Sequence, residues 1–490
     1  MREKLRGDKL IGVLYGALIL SPLVILLVQS LIHGMNLFKG VPTWSDELDY
    51  YREMLSYSHN GLNFGGSLFA GYEAEIGPFG AHSFSPVIAW GIVSLFGWNE
   101  HSILLFNLLF LCFSLLIFVL AVKPRGRRLV LSFAAAYLYA PLVLYLHTSM
   151  IEVVIYGWII IYFSLFSLYL SKRTWGLFAV ALAAGIIVTL LRMPYVVVLF
   201  PLIWAATDYK FNLKTLKYLI IYILLFLVVY KVYNVFCADY PDWVTSRLSA
   251  RAGLWSKFKF ICSNILTNLR LYFTFSATPV QWALRYAYGI TIVLLLAASF
   301  VEKGKEHITK CFKRDYFAFF VMVGGLWAIM VALYDIKDYR DFRTFSIVLF
   351  FVYLFVFTGK DKEEAGLLQY AFVALRRFVC AFSFKEGLIQ SRNTVAVVDT
   401  DASFDALNTI DANSKSVGAT YDINWGDVRL LKSVPNGLGY KVIREADIEN
   451  FTGVDYVLTT DEYLSGHPGM KERLEFMFET DSSYLVFKVK

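Results

Sequence analysis

The sequence predicts a mainly α, polytopic membrane protein with about 10–11 transmembrane helices, a long external first loop and a small C-terminal α/β domain. Three observations predict it. Hydrophobic residues are 57% of the 490-residue chain and charged residues only 17%, against roughly 45–50% and about 25% in soluble domains. About ten apolar stretches reach the roughly 18 residues that a bilayer crossing needs. Lys and Arg cluster in alternate loops, as they do on the cytoplasmic side of membrane proteins. Together with a mean hydropathy of +0.55, these exclude a soluble enzyme, a nucleic-acid-binding module and a disordered scaffold.

The basic start (Arg2, Lys4, Arg6, Lys9) is predicted to stay in the cytoplasm, and span 1 covers residues 10–33. Its apolar run is too long for a signal peptide core, so it reads as an uncleaved span. Residues 34–84 form a polar, glycine-rich external loop. Residues 85–97 are apolar but too short to cross, which fits a helix lying at the outer surface. Span 2, 102–122, returns to Lys123, Arg125, Arg127 and Arg128. Spans 3 and 4, 129–146 and 153–170, form a hairpin with HTSMIE at its external tip, and span 4 ends on Lys172 and Arg173.

Two shorter segments follow, 175–191 and 195–207, joined outside by Arg192-Met193-Pro194. Proline there predicts a break rather than one continuous helix. Lys210, Lys214 and Lys217 restore positive charge inside. Span 7, 218–236, leads to a second external loop, 237–281. Span 8, 282–301, returns to Lys303, Lys305, Lys310, Lys313 and Arg314. Spans 9 and 10, 316–334 and 344–358, flank an external DIKDYRDFR.

The chain thus divides into a membrane module, 1–365, a connecting helix, 366–384, and a C-terminal domain, 385–490. The connecting helix has two readings. As an eleventh span it carries Arg376 and Arg377 near mid-membrane, at about 2.5–3.5 kcal/mol each. As an interfacial helix it sets Leu368, Phe372, Leu375, Val379 and Phe382 on one stripe, and this reading is slightly favoured. In the last domain SRNTVAVVDT, DYVLTT and YLVFKVK read as strands separated by polar turns. The five cysteines show neither metal-ligand spacing nor a dense disulfide framework. Cys237 and Cys262 share one predicted external segment, where a bridge is open.

The first external loop holds Asp46, Glu47, Asp49, Glu53, Glu73 and Glu75 against Lys39 and Arg52. Thr43 can cap a helix with Asp46 in its first turn, and Asp46 and Asp49 share a face. These acids either favour a helix N-terminus, or supply a general base or a cation ligand at the membrane surface. His82 and Pro86 open the short surface helix beyond them.

The order of these residues is a basic start, span 1, then W-S-Asp46-Glu47-L-D-Tyr50-Tyr51. Gly61 follows in the loop, His82 and Pro86 open an apolar stretch, and Phe96-Gly97 close it. This pattern resembles the GT-C superfamily of integral-membrane glycosyltransferases, which includes the bacterial aminoarabinose transferases and protein mannosyltransferases. The resemblance covers about residues 10–350. HSFSP stands where the family usually has His-Pro-Pro or Lys-Pro-Pro. DYVLTTDEYL and the final YLVFKVK are similar to the small external C-terminal domains of that family, which implies that residues 385–490 lie outside.

The resemblance implies a sugar donor on a polyprenyl phosphate, an acceptor glycan, lipid or protein of the cell envelope, and an extracytoplasmic active site in a bacterial inner or plasma membrane. It assigns the general base to Asp46 with Glu47 beside it, and a second acid to Glu152 in HTSMIE. It allows a divalent cation, Mg²⁺ or Mn²⁺, on Glu47 and His82. A clue independent of the family comes from the second external loop, whose Arg247, Arg251, Lys257, Lys259 and Arg270 break the positive-inside pattern. With Arg192, Arg340 and Arg343 they suit a donor phosphate. The expected phosphate set is Arg192, Arg247, Arg251, Lys257 and Arg343. The alternative is that the loop's cations meet headgroups of anionic membrane lipids.

A transporter or flippase of lipid-linked saccharides is the rival reading. Coupled transporters usually carry ionisable residues inside their spans, whereas Glu152, Arg192 and Lys231 lie near span ends. A polymerase of lipid-linked repeat units also uses external arginines, and the acidic first loop is what favours the transferase. No nucleic-acid partner is expected.

Overall fold

A computed structural model describes residues 2–33, 50, 64–68, 73–77, 102–138, 142, 145–210, 212–236, 248, 250–274, 286, 288–297, 315–334, 347, 348, 350, 416–420, 439–443, 455–479 and 484–490. Within them the chain is mainly helical, with a few apolar membrane-spanning helices and a small C-terminal domain built on a β-sheet.

The first predicted span is two helices, α1 (Arg2–Ile19) and α2 (Ser21–His33), bent by 60°. Pro22 causes the bend: it has no N–H, and its ring crowds the carbonyl four residues back. The amides of Leu20 and Val24 still donate to Gly16 and Leu20 at 2.9 and 3.1 Å, so the backbone stays paired across the break. Helices α3 (Ser102–Val122), α4 (Arg127–Leu138) and α5 (Ile151–Lys172) occupy predicted spans 2 to 4. Next come α6 (Trp175–Leu191), a 3-10 segment (Met193–Leu199), α7 (Phe200–Ala206) and α8 (Leu213–Phe236). Among the described residues α3, α5 and most of α8 are long and apolar enough to cross a bilayer, and the bent α1–α2 pair has the length and composition of a broken span or a re-entrant loop.

The centre of the core is α5. Val153, Val154, Ile155, Tyr156, Ile159 and Tyr162 are all fully buried along it. Apolar surface gains little by hiding from lipid, so close helix approach depends on small residues. Gly157 of α5 lies under the Phe110 ring of α3, and a Cβ there would collide with that ring. The opposite case is α8, whose Ile220, Ile223, Leu224, Leu227 and Val228 are exposed. In a chain this apolar, such a face is a lipid-facing surface.

Contacts bring together helix ends that the basic-loop pattern assigns to one side. Tyr15 donates to the Pro124 carbonyl at 3.0 Å, and Arg173 Nη1 donates to Ala205 O at 2.7 Å. Arg173 also stacks over Tyr169 and Tyr209, 5.4 and 5.7 Å from their ring centres.

The segment 237–281, expected as a second long external loop, contains a 21-residue helix, α9 (Leu254–Thr274). It packs beside α11 (Asp315–Leu333), with the apolar helix α10 (Tyr288–Ala297) between them in sequence. The amides of Asn264 and Asn268 donate to the last carbonyls of α11: Val331 at 2.7 Å, Ala332 at 3.0 Å and Tyr334 at 2.7 Å. A helix end leaves those carbonyls without intrahelical partners. Cys262 sits in α9 as a free thiol, and Cys237 lies outside the described residues.

A seven-stranded sheet joins distant parts of the chain in the order β1-β2-β4-β3-β5-β7-β6. Strands β3 (Ser416–Thr420), β4 (Gly439–Ile443) and β5 (Tyr456–Thr460) run parallel, with β3 central. β7 (Tyr484–Val489) lies antiparallel between β5 and β6 (Leu474–Glu479). Between β5 and β6, helices α12 (Asp461–Gly466) and α13 (Pro468–Lys471) cover this end with Tyr463, Leu464 and Met470. The Thr460 hydroxyl caps α12 by accepting from the Tyr463 amide at 3.2 Å. DYVLTT and YLVFKVK are strands as expected, whereas SRNTVAVVDT lies outside the described residues, as do 85–97 and 366–384.

The two strands at one end of the sheet come from the segment predicted as the first external loop. β1 (Phe64–Leu68) and β2 (Glu73–Gly77) form an antiparallel hairpin, and β2 pairs antiparallel with β4. Glu73 and Glu75, counted with the acidic loop, are thus strand residues. The pairing also requires that hairpin and C-terminal domain share one side of the membrane. Ala74 stands opposite Tyr440 in this register, so the pair Ala74→Cys with Tyr440→Cys should form a disulfide under mild oxidation. Ala74→Cys with Lys441→Cys, one residue out of register and on the other face, should not. Mass spectrometry of the linked peptides distinguishes them.

Candidate active site

The tip of the α4–α5 hairpin is built by short-range polar bonds. The Thr148 hydroxyl donates to Tyr145 O at 2.8 Å and accepts from the Met150 amide at 3.2 Å. Asn107 of α3, fully buried, donates its amide to Thr148 O at 2.9 Å and pins the tip to the bundle. Met150 is extended (φ −75°, ψ 136°), and α5 begins at the next residue. Glu152 therefore occupies the first turn of α5, where unpaired N–H groups and the helix dipole favour a negative charge.

A second element meets Glu152. α6 ends at Leu191, and the next residue, Arg192, is extended (φ −156°, ψ 114°) with its amide on Val188 O at 3.3 Å. Pro194 lacks an N–H and disfavours helical geometry at Met193, so the chain restarts as a tight 3-10 turn with Tyr195 N on Arg192 O at 3.0 Å. The break that proline predicted is the feature that carries Arg192 out of the helix. Its Nη2 lies 3.4 Å from Glu152 Oε1. The arginine side chain is 25% exposed and the glutamate 0%. The pair thus turns a cation outward and keeps its anion behind it.

The level of α9 can be read from shared contacts. The Val197 side chain packs against Gly325 of α11. From there Arg192 is five residues nearer the outer end, about 10 Å at 3-10 rise. Tyr334 is nine residues nearer on α11, about 14 Å at helical rise. Arg192 and the carbonyls held by Asn264 and Asn268 therefore lie at similar depth. Lys257 is half-buried on the same face of α9 as Asn264, about 10 Å along the helix axis from it. Arg251 is exposed just before α9, its guanidinium 5.6 Å from the Phe260 ring centre.

Of the residues singled out in the sequence, Glu152 and Arg192 are brought together. Asp46, Glu47, His82, Arg247 and Arg343 lie outside the described residues. Among the described residues no three His, Cys, Asp or Glu side chains gather as a metal site. Tyr50, four residues beyond Asp46, is 4% exposed in the main apolar core. Sequence reasoning missed Asn107 and Asn268, buried amides inside apolar helices. Their signal is that a lone Asn at such a position needs a partner.

Breaking a buried ion pair by removing one partner costs about 3–5 kcal/mol. Arg192→Ala and Glu152→Gln should each lower the thermal unfolding midpoint in detergent. The double variant should lose clearly less than the sum of the two, because the partners act as a unit. Additive losses in that cycle would mean that the 3.4 Å contact contributes nothing to stability.

No protein-family model and no curated protein matches the chain. Among solved structures it is similar to ArnT from Cupriavidus metallidurans bound to undecaprenyl phosphate, at 12% identity over 97% of both chains, with a TM-score of 0.48. It is also similar to the apo state of that protein, at 13% identity over 98% of both chains, with a TM-score of 0.45.

Proposed function

We propose that the protein is an integral-membrane glycosyltransferase of the GT-C type. It moves a single hexose or pentose from a polyprenyl-phosphate carrier to an envelope glycan, lipid or protein on the extracytoplasmic face. The observation that supports this most is the Glu152–Arg192 pair, a guanidinium held toward the surface by a buried carboxylate at a helix break. Planar guanidinium donors match phosphate oxygens two at a time. A preset cation stabilises charge where it develops without reorganising during the reaction.

In this mechanism Asp46 takes the proton of the acceptor hydroxyl. The acceptor oxygen attacks the anomeric carbon, and the bond from that carbon to the phosphate oxygen breaks. The electron pair leaves with the polyprenyl phosphate, whose added charge Arg192 balances, with Arg251, Lys257, Arg247 and Arg343 completing the set. Glu152 acts by holding Arg192, while Glu47 stands beside the base. The β2–β4 pairing supports a C-terminal domain on the same face of the membrane as the first loop.

The test is mass spectrometry of surface glycans and polyprenyl-linked sugars from cells with wild-type protein, no protein, Asp46→Asn or Arg192→Ala. The null and Asp46→Asn cells should both lose one sugar and accumulate its polyprenyl phosphate carrier, with the variant protein still in the membrane. Arg192→Ala should reduce transfer by about 100-fold, the scale of losing one oxyanion donor. Wild-type glycans from Asp46→Asn beside altered glycans from the null would reject the transferase and move the transporter or polymerase reading ahead.

A further inference from the structure

Helix α9 has two faces of different chemistry. Asn264, Asn268 and Tyr272 turn toward α11; the Tyr272 ring meets Trp327 edge-on at 6.2 Å. The opposite face carries Trp255, Lys259, Cys262, Leu266, Arg270 and Phe273, spaced by three or four residues and hence on one stripe. Trp255, Leu266 and Phe273 are 67%, 69% and 60% exposed. The Lys259 ammonium lies 5.6 Å from the Trp255 ring centre. Between Arg251 and Thr274 there are four cations and no acid.

We propose that this outward face binds the headgroups of anionic phospholipids in the surrounding leaflet. Three features point to that occupant. First, the Asn264 bonds level the middle of α9 with the end of an apolar helix, which is the membrane boundary. Second, exposed Trp, Leu and Phe interleaved with Lys and Arg line a helix that runs beside α11 through that boundary, an arrangement that sets apolar side chains against acyl chains and lets cations reach phosphate. Third, the charge is of one sign, so the face discriminates anionic from zwitterionic lipid, roughly fivefold per basic residue. Lys259 and Arg270 turn away from α11, the helix against which the Arg192 segment packs, and so serve the lipid surface rather than the donor phosphate. The inference does not depend on the transferase reading.

The test uses the full-length protein in phosphatidylcholine nanodiscs containing a minor fraction of brominated phosphatidylglycerol or of brominated phosphatidylcholine. Quenching lost in Trp255→Phe isolates Trp255 from the other tryptophans. Trp255 should be quenched at least fivefold more effectively by the anionic lipid. Lys259→Gln with Arg270→Gln should remove that preference, and Lys259→Arg with Arg270→Lys should keep it. Equal quenching by both lipids overturns the proposal. So does a preference that survives the double Gln variant. Absence of any Trp255 quenching overturns it too, and shows that the face is covered by protein.

Discussion

Hydrocarbon offers no hydrogen bonds, so every polar group placed in it must find its partner within the protein or cost several kcal/mol. The rest of the bundle follows from this constraint. Pro194 and Pro201 remove two N–H donors from one membrane segment, and the carbonyls nearby are claimed by neighbours. Tyr162 of α5 donates to Val198 O and Tyr222 of α8 donates to Val196 O, each at 2.8 Å. Tyr288 of α10 donates to Val323 O of α11 at 2.8 Å. Each hydroxyl satisfies a backbone group and also fixes which helix lies next to which.

The same constraint shapes the candidate site. An Arg at mid-helix in lipid is expensive, whereas at a helix break near the surface its charge reaches polar surroundings. The proline break supplies that position, and Glu152 supplies a counter-charge at the one turn of α5 where the backbone also favours it. A carboxylate buried there without a cation is unfavourable, as is a cation without a partner. The pair is therefore an arrangement in which local backbone geometry and electrostatics agree.

The sheet couples parts of the chain that the membrane helices separate. A hairpin from the first loop extends the C-terminal sheet at β4, whose edge otherwise exposes unpaired N–H and C=O groups. The loop gains an anchor at its middle, and the edge is covered. With Tyr50 buried in the core near its start, the first loop is held at two points.

The sequence by itself determined the class of the protein, the order of its helices and the place of the break. These depend on local terms, such as apolar length, proline and the basic residues at helix ends. Residues 102–122 and 175–191 are helices with the expected bounds for that reason. The bend at Pro22 is not part of the reading of 10–33 as one span, because the apolar run continues across the proline. What only the tertiary structure decided are relations between residues far apart in the chain. Helix α9 is an example: its cations and asparagines lower its hydropathy, and it becomes intelligible once Asn264 and Asn268 are seen on the end of α11. The hairpin of the first loop takes its strand partner about 370 residues away, which no local propensity encodes. The Glu152–Arg192 contact belongs with these, because two span ends forty residues apart met only when α5 and α6 packed.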